Sequence, residues 1–222
     1  MVAKTITALE VQKRNQERVS VFLDGEFAFG LPMIEAARLR KGQILSDDEV
    51  TALRAIDDVA RAVDRAVKLL ARRPYSIAEI RQNLASHDIA PGTIDAALAK
   101  LDRLGYVDDR AFAAYWIENR ERFRPRSPRA LRYELRQKGI ANDVIQAALN
   151  AIDPHDSAYR AAQDKVRRFQ GLDRQTFRNK LGGFLARRGF GYDIVRDTVD
   201  QLIHELEEEQ PDYFAVDKSN EE

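Results

Sequence analysis

Leu131-Arg-Tyr-Glu-Leu135-Arg-Gln-Lys138-Gly139-Ile140 and Leu181-Gly-Gly-Phe-Leu185-Ala-Arg-Arg188-Gly189-Phe190 stand fifty residues apart and follow one pattern. Two leucines sit one helical turn apart, basic residues follow, and glycine and an apolar residue close the turn. Asp143-Val144-Ile145 and Asp193-Ile194-Val195 then open the next apolar stretch at the same spacing. Upstream, Ile80, Leu84, His87, Ile89, Thr93 and Ile94 form a looser third copy. A period near fifty residues marks an array of small helical units, each burying its apolar face against neighbours. Such an architecture favours a broad binding surface over a single deep catalytic pocket.

Between these copies, local signals set the helices. Ser46 with Glu49, and Ser76 with Glu79, have capping-box spacing. Pro91 and Pro128 suit the first helical position, and Gly105 and Gly189 suit left-handed caps. The start of the chain differs in kind. Val19 to Leu23 and Glu26 to Gly30 flank Asp24-Gly25, a two-residue hairpin turn. This hairpin pairs Phe22 with Phe27 and places Phe22, Phe27 and Phe29 on one face, with Ile6 to Val11 as a third strand. The pattern does not tell which face is buried.

The expected fold is mainly α: a tandem array of three three-helix repeats, helix-turn-helix-like, after a small N-terminal segment containing a β-hairpin. The expected boundaries are 1–45 for the β-rich segment and 46–57 for a connecting helix, with a fresh helix start at Asp57 or Asp58. Repeats follow over 58–107, 108–155 and 156–208, then an acidic disordered tail over 209–222. Gly182-Gly183 inside a helix suggests a close helix–helix approach or a kink, rather than a merely tolerated weakness.

The 222 residues are 44% hydrophobic and 32% charged and include no cysteine, which excludes thiol catalysis, disulfides and thiolate metal sites. Lys4, Glu10, Lys13 and Arg14 interrupt any signal-peptide core, so the expected location is the cytoplasm, away from membranes. His87, His155 and His204 have no companion at metal-ligand spacing. Neither a phosphate loop nor a nucleophile elbow is present. No enzyme activity and no cofactor are expected.

A formal net charge of zero hides an asymmetry. Glu205 to Glu222 holds eight acidic residues and one lysine, whereas Arg110 to Arg188 holds eighteen basic against eight acidic residues. A basic middle suits a polyanionic partner. The densest part is a belt of Arg120, Arg122, Arg124, Arg126, Arg129, Arg132, Arg136 and Lys138 around Phe123 and Pro125. Arg167, Arg168, Arg187 and Arg188 take similar places in the third repeat. Guanidinium forks suit phosphate and carboxylate recognition, and all twelve are candidate partner-binding residues.

Two function classes fit this pattern. One is a tandem helix-turn-helix DNA reader. Against it, no wing strands follow Val107, and Asp193 to Gln201 carries three aspartates and one arginine, a poor charge for a groove-reading helix. The other is a modulator that docks along a repetitive protein or nucleoprotein surface.

The helix Phe112-Ala-x-Tyr115 to Arg120, the unit Leu131 to Ile140, and Leu185-x-Arg-Arg188-Gly189-Phe190-x-Tyr192-Asp193 resemble the RecX family of bacterial RecA regulators. The resemblance spans about residues 58 to 208, and the hairpin-containing start resembles an extension found in some members. It implies a non-enzymatic protein that binds the RecA filament on single-stranded DNA and inhibits recombinase, ATPase and coprotease activities; a monomer is expected. That role belongs to DNA repair, homologous recombination and the SOS response. Whether DNA itself is touched is left open by the sequence.

Overall fold

The computed structural model describes residues 3–215, which fall into two units, Met1–Asp108 and Asp109–Glu222.

In the first unit, β1 (Lys4–Gln12), β2 (Asn15–Leu23) and β3 (Glu26–Pro32) form an antiparallel meander. A short β4 (Ile44–Leu45) joins the β1 edge, giving the order β3-β2-β1-β4. Asp24 and Gly25 both take positive φ, 51° and 93°, as this tight turn requires. Phe22 pairs with Phe27 as expected, but the register then shifts, so that Val21 pairs with Phe29. One extra residue, Ala28, switches the side on which later residues point. Phe29 therefore joins Val19, Val21 and Leu23 in the core, while Phe27 is 61% exposed. The expectation of one face for Phe22, Phe27 and Phe29 fails at this bulge.

The buried face of the sheet packs on α1 (Met33–Ala36) and on Val50 and Leu53 of α2 (Asp47–Leu70). Ser46 and Glu49 form the capping box, and the hydrogen bonds from Ser46 hold the Glu49 carboxyl below its ordinary pKa. A break at Asp57 was expected from the sequence, but α2 runs through as one helix of 24 residues, about 36 Å long. Neither Gly nor Pro interrupts it. Asp57 is not a cap: it is buried and paired with Arg18 of β2. The second half of α2 supplies Ala62, Val63 and Ala66 to a bundle with α3 (Ile77–Ala85) and α4 (Pro91–Arg103).

The second unit holds two further trios: α5 (Asp109–Phe123), α6 (Pro128–Gln137) and α7 (Asn142–Leu149), then α8 (Pro154–Val166), α9 (Arg174–Arg187) and α10 (Tyr192–Glu209). Each core uses the repeated positions. Leu131, Leu135 and Ile140 are buried in one, and Leu181, Leu185 and Phe190 in the other, as Ile80 and Leu84 are in the first unit. Among the described residues every strand precedes Asp47, so the trios carry no wing.

Two expectations are corrected here. The tail does not turn polar and disordered at residue 209. α10 continues to Glu209, and Tyr213 and Phe214 fold back against Phe177, with ring centroids 5.8 and 5.2 Å away. The Tyr213 hydroxyl donates to the Val166 carbonyl, and Gly171 and Ala215 add backbone bonds. Two aromatic rings in an otherwise polar stretch have enough apolar area to hold it. The acidic residues from 216 onward lie outside the described residues. The Gly182-Gly183 pair marks no close approach. A Cβ at Gly182 would sit 3.6 Å from Val195 Cγ1 and one at Gly183 3.4 Å from an Arg187 nitrogen, both ordinary contacts.

Candidate functional site

Ser127 caps α6 by accepting from the Ala130 amide at 3.1 Å, and Pro128 takes the first helical position. That start lies against the end of α9. The Ser127 amide donates to the Arg188 carbonyl at 3.2 Å, and Arg188 Nη1 donates to the Pro125 carbonyl at 2.9 Å. Gly189, at φ +89°, allows this approach, since a Cβ there would stand 2.8 Å from Ser127 Oγ. On a separate path, Glu121 of α5 accepts from Ser157 Oγ at 2.8 Å and pairs with Arg160.

This junction gathers candidate arginines from two repeats. Burial first, then the charges of Arg126 and Arg124, lower the Arg188 pKa from its ordinary value. Its guanidinium also lies 4.7 Å over the Phe184 ring, which Lys165 approaches at 5.0 Å. Burial and like charge both disfavour the cation at this junction.

The belt itself is divided. Glu134 accepts from Arg120 Nε at 2.8 Å and Trp116 Nε1 at 2.7 Å, and pairs with Arg126 at 2.9 Å. Lys138 Nζ lies 4.9 Å and the Arg120 guanidinium 4.6 Å over Trp116. Arg120, Arg126 and Lys138 thus build a cluster around one carboxylate and one indole. Arg132 and Arg136 reach α7, donating to Gln146 at 2.7 Å and Asn142 at 3.0 Å. By contrast, Arg122, Arg124 and Arg129 are exposed and form no ion pair among the described residues. Arg122 lies 5.2 Å over Phe123, itself 62% exposed. Arg167, Arg168 and Arg187 are exposed too. Sequence reasoning missed Glu134, although it is the one acidic residue between Glu121 and Asp143. Its isolation in a basic stretch was the available signal.

Four consecutive domain profiles match the chain: the regulatory protein RecX N-terminal domain over residues 4–46, and the first, second and third RecX three-helix domains over 62–101, 108–149 and 153–199. A regulatory protein RecX of Clostridium botulinum (strain Eklund 17B) is 31% identical over 206 residues, covering 90% of this chain and 96% of the relative. The chain belongs to the RecX family. The regulatory protein RecX of Chlorobium phaeobacteroides is 39% identical over 146 residues, covering 66% of this chain and 96% of the relative. A crystal structure of a regulatory protein RecX superposes with a TM-score of 0.72 at 26% identity, covering 89% of this chain and 99% of the other. RecX from Lactobacillus salivarius shares the fold, with a TM-score of 0.58 at 22% identity over 67% of this chain and 98% of the other.

On this RecX-family scaffold the belt and its junction occupy the second and third three-helix domains. Among the described residues no cluster of His, Asp and Glu could hold a metal ion, and no helix is long and apolar enough to cross a membrane.

Proposed function

We propose that this RecX-family chain is a non-enzymatic, cytoplasmic and monomeric modulator of RecA. It binds the RecA nucleoprotein filament on single-stranded DNA and inhibits its recombinase, ATPase and coprotease activities. The observation that carries this reading is the contact of Arg188 of one repeat with the Pro125 carbonyl, between Arg124 and Arg126 of the preceding repeat, in a chain whose domain order is that of a regulatory family. A surface assembled across a repeat junction suits a partner that presents acidic groups periodically, as a filament does. Each repeat then needs only modest affinity, because the first contact raises the effective concentration of the next.

The test is ATP turnover by RecA on single-stranded DNA with increasing amounts of the chain. Suppression at substoichiometric amounts is expected, and its absence overturns the reading. Arg122, Arg124 and Arg129 are the residues to reverse, because no internal carboxylate holds them. The triple Glu variant is expected to need at least tenfold more protein for the same suppression. Unchanged potency would remove the belt from the interface.

A further inference from the structure

The first unit contains a cleft that the preceding reading does not use. It has a volume of about 700 Å³ and lies between the strands of the sheet, α2 and α3. Because α2 is continuous, Arg61, Arg65 and Lys68 fall on one stripe at spacings of four and three residues. Arg72 extends the stripe just past the helix end, and Arg18 faces it from β2.

Not all of this charge is free. Arg18 is committed to Asp57, with Asp64 at 4.0 Å, and Arg61 pairs with Asp58 at 2.5 Å and Asp57 at 3.5 Å. Asp57, Asp58 and Asp64 are thereby set against Arg18 and Arg61. Arg65, Lys68 and Arg72 have no acidic partner among the described residues. With Arg18 and Arg61 the wall thus carries five cations against three carboxylates, Asp57, Asp58 and Asp64, and the like charges one turn apart along α2 repel, which favours an anion beside them.

A small anion would not use the rest of the cleft. Phe27 lines it, held on one side by an edge-to-face contact with Phe22 at 6.0 Å and otherwise exposed. The bulge at Ala28 is what leaves this ring outside the core, while its neighbour Phe29 is buried. A track of cations beside an exposed aromatic ring is the combination that holds single strands, with phosphates on the cations and a base on the ring. The volume also lies in the range that holds a ligand of nucleotide size or more.

We infer that this cleft is a binding site for single-stranded nucleic acid, with Arg65, Lys68 and Arg72 on the backbone and Phe27 stacking a base. The site is independent of the belt in the second unit, and its test needs no partner protein.

The assay is fluorescence anisotropy of the full chain with short labelled oligothymidylate and oligouridylate at low salt, with polyphosphate as a base-free competitor. Three variants are compared: Arg65→Glu/Lys68→Glu, the milder Arg65→Gln/Lys68→Gln, and Phe27→Ala. Circular dichroism verifies that each is folded. Reversal is expected to cost at least tenfold in affinity, the Gln pair less. Removal of two phosphate contacts should also flatten the log–log salt slope by about 1.4. Phe27→Ala is expected to weaken oligonucleotide binding by about fivefold or more and leave polyphosphate binding unchanged. Tighter binding of one oligonucleotide identifies the preferred strand, sugar and thymine methyl group taken together. The inference is overturned if neither oligonucleotide binds, if the charge variants bind like the parent, or if Phe27→Ala has no effect, which would leave a site for anions alone.

Discussion

Gly189 performs two tasks, and they can be separated by substitution. Its φ of +89° is costly for any L side chain, and its missing Cβ admits Ser127 and Ala130 of the preceding repeat, at 2.8 and 3.0 Å from where that atom would be. Gly171 shares the first property, at φ +78°, but has open space around it. Gly171→Ala should therefore cost only the left-handed strain, about 1–2 kcal/mol. Gly189→Ala should cost that and about 1–3 kcal/mol more for overpacking. Urea unfolding followed by far-ultraviolet circular dichroism measures both, and equal losses would mean that the repeats do not meet as described. The same cap position in the first repeat is filled by Asp88 at φ +57°, a residue that tolerates this region better than most. That substitution, with Ile80 in place of the first leucine, is why the third copy is looser in sequence although Ile80 and Leu84 are buried in the same way.

At the scale of elements, helices were legible because their period and caps are local properties. The capping boxes at Ser46 and Ser76 formed as their spacing implies. What escaped depended on partners distant in sequence. Asp57 resembles a helix start until Arg18 of β2 is placed beside it. The alternation in β3 predicts one face until a bulge inserts Ala28. The belt of arginines reads as free charge until Glu134 is seen to bind Arg120 and Arg126. Gly182 and Gly183 present the opposite case, a local cost with no tertiary reason. α9 has room for a methyl group at both positions, so alanine at each should stabilise the second unit by about 1 kcal/mol. The thermal midpoint of Gly182→Ala/Gly183→Ala should rise accordingly. A fall would restore the close-packing explanation that the geometry removes.

For the whole molecule, the decisive property is that stability is distributed over several cores rather than one. The sheet and the first trio bury separate sets of residues within the first unit, and the second and third trios do so within the second. Repeat architectures of this kind need not unfold in one step. Trp116, the single tryptophan, packs beside the core that contains Leu135, so its fluorescence reports the second unit while calorimetry reports the whole chain. Leu135→Ala and Leu84→Ala each empty a fully buried position and should each cost about 2–5 kcal/mol. Leu135→Ala is expected to lower the fluorescence midpoint. Leu84→Ala should leave that midpoint in place while shifting a calorimetric component that fluorescence does not see. If both variants lowered one shared transition equally, the units would be thermodynamically fused. The modest, independently tethered contacts invoked for filament binding would then have to be replaced by a rigid surface acting as a whole.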